Sequence, residues 1–237
     1  MRGLAFRKRL AEWKMKGVKK SESRFALGID FYKLFWVFVI GCFLGVVAET
    51  LYCLVTYGYI ESRQGLIYGP FNPVYGFGAV LMTLVLNPLE HKKWYLIFLL
   101  SMILGGGFEY LSSYVQQLMT GTVSWQYNEL PFNLGGRTSL RYSLYWGVLG
   151  LLWIKEIYPL LSRMIDKFLS QFGILVTWLL VIFMILNMTI SVLAINRWTQ
   201  RQDGITASNN FEEFLDQTYP DRFLDQVYPN LVKVGSP

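Results

Sequence analysis

The chain has 237 residues, 53% of them hydrophobic and 16% charged, with a formal net charge of +6. That balance, with a mean hydropathy of +0.33, sets aside disordered chains and ordinary soluble domains and leaves burial in lipid. The sign of the charge is uneven: nine Lys or Arg face only Glu12 and Glu22 up to Arg24, whereas four basic residues face six acidic ones after Ile195. A basic stretch abutting an apolar span fits the anionic headgroups of the cytoplasmic leaflet, so membrane lipids rather than nucleic acid are the expected contact.

Residues 1–30 form a basic amphipathic cytoplasmic segment in which Leu4, Leu10, Trp13, Met15 and Val18 alternate with Arg and Lys. No small-x-small cleavage site follows, so the first apolar run reads as a retained span. An all-α, polytopic transmembrane helical bundle of about five spanning helices is predicted over residues 31–196, with spans at 34–57, 74–89, 95–119, 138–159 and 172–195. Before the second span, Gly65 to Gly76 is rich in Gly, Pro and Tyr, which predicts an irregular outer loop dipping inward and needing protein around it at membrane depth. The stretch 155–171 reads as a modestly basic connector, and residues 197–237 as an acidic extracytoplasmic tail. The tail repeats itself: Phe214-Leu-Asp-Gln-Thr-Tyr-Pro220 recurs as Phe223-Leu-Asp-Gln-Val-Tyr-Pro229, each copy a helical turn ended by its proline. Counting Lys and Arg near span ends puts the N-terminus inside and the C-terminus outside a bacterial cytoplasmic membrane.

Glu49 in the first span and Glu109 in the third lie about 21 to 23 Å from the inner ends at 1.5 Å per residue, so both fall in the outer third of the membrane. Each ends a stripe of small residues, Gly41 and Gly45 before Glu49, Ser101 and Gly105 before Glu109. A carboxylate in hydrocarbon needs a partner. Arg63 in the first outer loop, and Arg137 and Arg141 one helical turn apart at the start of span four, are the candidates, with the helix entry at Asn133 offering further anion donors. Two outcomes are open: the arginines neutralise the glutamates and lock the bundle, or the group forms an outward-facing pocket rimmed by Tyr52, Tyr68, Tyr110, Tyr114, Trp125 and Tyr127. His91 lacks companions for a metal site, Asn187 is expected to bond between helices, and no P-loop is present, so neither a metal nor another cofactor is expected.

The segments Glu49-Thr-Leu-Tyr52 through Arg63-Gln-Gly-Leu-Ile-Tyr-Gly-Pro-Phe-Asn-Pro-Val-Tyr-Gly76, then Glu109-Tyr-Leu-Ser-Ser through Trp125-Gln-Tyr, Pro131-Phe-Asn-Leu-Gly-Gly-Arg137 and Leu140-Arg-Tyr-Ser-Leu-Tyr-Trp-Gly147, carry a resemblance. Over roughly residues 35–157 the chain resembles the bacterial integral membrane family labelled putative ABC-transporter type IV, CmpB-like. The resemblance implies a permease-like subunit with a separate ATPase or other membrane protein as partner, and transfers no catalytic residues.

The expected function is therefore that of a small transporter-associated membrane protein handling an anionic or amphiphilic ligand at Glu49, Tyr52, Arg63, Tyr68, Glu109, Tyr110, Trp125, Asn133, Arg137 and Arg141. A membrane enzyme acting on a lipid-linked substrate at the outer leaflet, with a glutamate as general base, is the rival. It lacks a nucleophile or metal set in the sequence. A scaffold recruiting partners through the tail and basic segment is the third reading.

Overall fold

The computed structural model describes residues 29–168 and 173–234; residues 1–28 of the basic segment expected over residues 1–30 lie outside them. The fold is all-α. Helix α1 spans Phe31–Tyr57, opened by Asp30, whose carboxylate accepts from the Lys33 amide, and closed by Gly58 at φ +78°. Helix α2 is Pro73–Leu86, followed by a short 3-10 turn at Asn87–Leu89. Helix α3 is Trp94–Thr120, and α4 is Leu140–Leu152. A π turn, Trp153–Ile157, joins α4 to α5, Tyr158–Phe168. Helix α6 runs Gly173–Gln202, and the tail forms α7, Asn210–Thr218, and α8, Asp221–Val227.

Four helical rods are long and apolar enough to cross a membrane: Phe31–Tyr57, Trp94–Thr120, Leu140–Lys167 and Gly173–Gln202. The fourth was expected to end near Pro159 and does not. Pro159 lacks an amide proton, but the wider π register just before it, in which the Tyr158 amide bonds the Trp153 carbonyl, carries the rod past the proline, so most of the expected connector is helix. Helix α6 likewise continues seven residues beyond its expected end, carrying Arg197 and Arg201 on its final turns.

Helix α2 is different in kind. Its 14 residues reach only about 21 Å, short of a hydrocarbon core of about 30 Å. It starts midway along α1, where the Asn72 amide bonds the Cys42 carbonyl at 3.1 Å and the Asn72 side chain caps Val74. The irregular segment 58–72 therefore returns into the bundle, burying Leu66 and Ile67. Protein groups satisfy its backbone: Ser191 Oγ accepts from the Ile67 amide, and Asn187 brackets Tyr68, accepting from its N–H at 3.1 Å and donating to its carbonyl at 2.7 Å. Asn187 thus holds a loop rather than a second helix, because the loop brings an unpaired peptide to its depth.

Packing reveals an internal repeat. The α1–α2 hairpin and the α3–α4 hairpin are built from the same contacts, displaced by sixty residues in the first helix and seventy-one in the second. Gly45 meets the ring of Tyr75, and Gly105 meets the ring of Trp146; Gly76 packs on Phe38, and Gly147 on Phe98; Gly41 faces Ala79, and Ser101 faces Gly150. A Cβ on Gly41 would lie 2.8 Å from the Ala79 Cβ, so these crossings require the absence of side chains. The two hairpins run in the same direction along the bundle.

Helix α6 binds the hairpins together. Near its start the Trp36 Nε1–H donates to Thr177 Oγ1 at 2.9 Å, and Met184 packs with Phe38, Val39 and Cys42 of α1. A second apolar group, including Val37, Leu86, Ile97, Trp153 and Ile165, joins all four hairpin helices and α5 toward the end where α1 begins. There Lys33, 4% exposed, pairs with the half-buried Asp166 at 3.0 Å and donates to Ser162 at 2.9 Å, an ion pair absent from the sequence expectations. At the opposite, distal end, α7 and α8 fold onto α6 and the loop, with Ile67, Ala194, Leu215, Tyr219, Leu224 and Tyr228 sharing one core. The tail finishes as strand β4 (Val232–Lys233), antiparallel to β1 (Thr122–Val123).

Candidate functional site

The polar centre of the bundle is built where the two hairpins present their glutamates. Glu49 follows Gly45 by one turn of α1, and Glu109 follows Gly105 by one turn of α3, so the same glycine crossing sets the height of both carboxylates. Glu49 accepts a 2.5 Å hydrogen bond from Tyr75 Oη, and the Arg63 guanidinium stands 3.7 Å from its other oxygen. Arg63 makes its tighter pair with Glu61 at 2.6 Å. Glu109, 7% exposed, has a different set of partners: Thr138 Oγ1 donates to Oε2 at 2.7 Å and Tyr127 Oη donates to Oε1 at 3.0 Å. Tyr75 lies within electrostatic range of Glu109 and of Tyr127, so the two carboxylates belong to one polar centre.

Among the described residues an arginine reaches Glu49 but not Glu109. Arg137 turns away from Glu109, donating to Ser113 Oγ at 3.0 Å and to Gln117 Oε1, with its guanidinium between the rings of Tyr110 and Tyr114. Arg141 is solvent- or lipid-facing and engages Tyr145, donating from Nε to Oη at 3.1 Å and lying over the ring. Nor do the two arginines share the first turn of a helix. Gly135 and Gly136, at φ +57° and +68°, turn the chain back so that β2 (Asn133–Leu134) pairs with β3 (Thr138–Ser139), and α4 begins only at Leu140 behind Ser139. Arg137 therefore sits on the hairpin, and Arg141 in the first turn of α4.

The other expected site residues divide by role. Asn133 ties the loop together, donating to the carbonyls of Leu130 and Asn128 and accepting from the Gly136 amide. Trp125 donates from Nε1 to the Arg137 carbonyl at 2.9 Å. Tyr68 is clamped by its backbone, and its hydroxyl meets that of Tyr219 at 2.7 Å, which joins the returning loop to the tail. Tyr52 is open and packs edge-on to Tyr57. Tyr142, stacked on Tyr127 at 4.2 Å, continues the tyrosine group to Tyr145 and Arg141.

Tyr127 was expected only on the rim, and Tyr75 and Thr138 were absent from the expected site, yet these three make the direct contacts to the carboxylates. The repeat explains the asymmetry. Asn72 and Tyr75 are three residues apart, while the corresponding Asn133 and Trp146 are thirteen apart, and the extra segment forms the β2–β3 turn that lays Thr138 over Glu109. Repeat one lacks that cover and leaves the Glu49 side chain 30% exposed. Burial and the Glu109 charge together push the Tyr127 phenol well above its ordinary range, so it stays a hydrogen-bond donor. Among the described residues no group of three metal-ligating side chains assembles.

The chain was compared with known proteins. No curated protein and no solved structure matches it. A family model does, over residues 36–192, which takes in both hairpins, α5 and most of α6 and leaves out the tail. Covering well over half of the chain, that match shows that this transport-associated membrane protein belongs to the family described as putative ABC-transporter type IV.

Proposed function

We propose that the protein is a permease-like subunit whose ligand passes beside the Glu49–Tyr75–Glu109 centre. The observation that carries the reading is α2: a half-length helix that starts at mid-depth, fed by a returning loop, in a bundle made of parallel repeats. Discontinuous helices within transporter repeats are a common way to bring polar groups to membrane depth. A carboxylate from each repeat stands about two turns beyond that mid-depth start, toward the distal end, and hydroxyls hold both.

The charged groups narrow the ligand. Arg63 and Arg137 are engaged within the protein, which among the described residues leaves Arg141, beside Tyr145 and within electrostatic range of Tyr52 and Tyr142, as the open cation near the centre. An amphiphile fits this arrangement, its anionic group at Arg141 and its less polar part along the tyrosines. The distribution of Lys and Arg favours a bacterial cytoplasmic membrane with the distal end outside. With no P-loop in the chain, a separate ATPase subunit would supply any ATP-driven step.

The test is binding of anionic amphiphiles to the full-length protein in lipid nanodiscs. Arg141→Glu should abolish binding while leaving the melting temperature unchanged, since the side chain is exposed and its hydrogen bond goes to the neighbouring Tyr145. Undiminished binding by Arg141→Glu would sink the proposed role.

A further inference from the structure

One guanidinium stands between two carboxylates near the distal end of α1. Arg63 Nη2 pairs with Glu61 at 2.6 Å, while Nη1 lies 3.7 Å from Glu49. The shorter contact is a full charge-assisted hydrogen bond and the longer one is not. Glu61 therefore holds Arg63, and Glu49 depends on the Tyr75 hydroxyl, although Glu61 and Glu49 lie within electrostatic range of each other.

The advantage of Glu61 comes from the tail. The Asn230 side-chain amide donates at 3.4 Å to Glu61 Oε2, the same oxygen that Arg63 holds. Beside it Ser62 Oγ donates to the Val227 carbonyl at 2.8 Å, and Ile67 is buried with Leu215, Tyr219 and Leu224. The returning loop is thus clamped by a segment that the family match, ending at residue 192, does not reach. Ion pairs in turn hold that segment to α6: Asp216 with Arg197 and Arg201, and Asp221 with Arg201.

We propose that Glu61 is a positioning residue governed by the tail. While the tail is docked, Glu61 keeps Arg63 off Glu49; when the ion pairs to α6 give way and the tail lifts, Arg63 closes on Glu49. The direction follows from solvation. Without the tail Glu61 meets water, and its pair with Arg63 falls to the weak strength of surface pairs, whereas Glu49 stays between α1 and α2, where the same attraction is less screened. Closure requires an advance of only about 1 Å. The docked tail leaves the carboxylate of repeat one unneutralised in the polar centre, and the lifted tail neutralises it. This inference needs no ligand and stands apart from the proposed function.

Thermal unfolding of the full-length chain in lipid nanodiscs tests it. Glu49→Gln and Glu61→Gln each leave Arg63 one carboxylate, so each should lower the melting temperature modestly. Together they leave it neither, and the drop should exceed the sum of the two. Additive drops would mean that Glu61 only ties down the loop, which overturns its positioning role. Asp216→Asn combined with Asp221→Asn removes the ion pairs to α6 without altering the loop, and proteolysis within residues 203–234 should then quicken at neutral pH. In that background Glu49→Gln should lower the melting temperature more than it does in the native chain, and Glu61→Gln less. Equal shifts in the two backgrounds, or a tail that stays protease-resistant without its ion pairs, would overturn control by the tail.

Discussion

Asn187 brackets the Tyr68 peptide, accepting from its N–H at 3.1 Å and donating to its C=O at 2.7 Å from the middle of α6. Two backbone groups of the returning loop depend on one carboxamide. Asn187→Leu leaves both unpaired, at a cost of about 1–3 kcal/mol each. The expected outcome is a lower melting temperature and faster hydrogen exchange at Ile67 and Tyr68, with the α3–α4 hairpin unaffected. Exchange measured peptide by peptide separates that local release from general unfolding.

Glu109 depends on hydroxyls rather than a cation. Thr138→Val keeps the shape of the side chain but removes a donor to a carboxylate, a loss of about 1.5–3 kcal/mol. Combined with Tyr127→Phe the effect should exceed the sum of the two, because the second loss strands the carboxylate altogether. Glu109→Gln in the double variant should restore stability, as a neutral amide needs less. Thermal unfolding of the four proteins decides the matter.

The glycine crossings make a sharper contrast. Gly45→Ala drives a methyl into the Tyr75 ring and Gly105→Ala drives one into Trp146. Each should cost about 1–3 kcal/mol through overpacking, despite alanine's better helix propensity. Because Tyr75 also holds Glu49, Gly45→Ala should perturb binding at the polar centre, which thermal unfolding together with ligand titration would register.

The tail should respond to acid. Hydrogen bonds from Arg197 and then Arg201 hold the Asp216 carboxyl below its ordinary range, with Arg197 bidentate at 2.8 Å for both contacts. A carboxyl lowered by folding contributes its full stabilisation above its unfolded pKa of about 3.9, and loses it as pH falls through the lowered value. Asp221 on Arg201 and Asp203 on Lys233 add further charge pairs to the same contact. Protease sensitivity of residues 203–234 should therefore rise below about pH 4. Asp216→Asn should bring some of that sensitivity to neutral pH.

Hydrophobic runs made the helices legible in the sequence, and the tyrosine- and proline-rich segment announced an irregular entry to α2. Matching depths of Glu49 and Glu109 were legible too, since rise per residue is fixed. Their partners were not. Thr138 reaches Glu109 only because two consecutive glycines fold a β-turn where a helix start was expected, and Tyr75 reaches Glu49 through a tertiary crossing. The hairpin repeat was present as Gly-x-x-x-Glu and Pro-Phe-Asn in both halves. Ten additional residues between Asn133 and Trp146 broke its period, whereas the short tail repeat has no such interruption.

The β1–β4 pairing has a consequence for how the molecule is made. Thr122 finds its partner in Lys233, 111 residues later, and the Val234 amide bonds the Gly121 carbonyl at the end of α3. During synthesis both hairpins can close from local contacts long before that partner exists. The distal cap is then assembled late, after α6 has crossed and residues 232–234 have left the ribosome. Removing residues 232–234 would leave the hairpins folded but the Thr122 edge unpaired, a late defect in biogenesis rather than a failure of insertion.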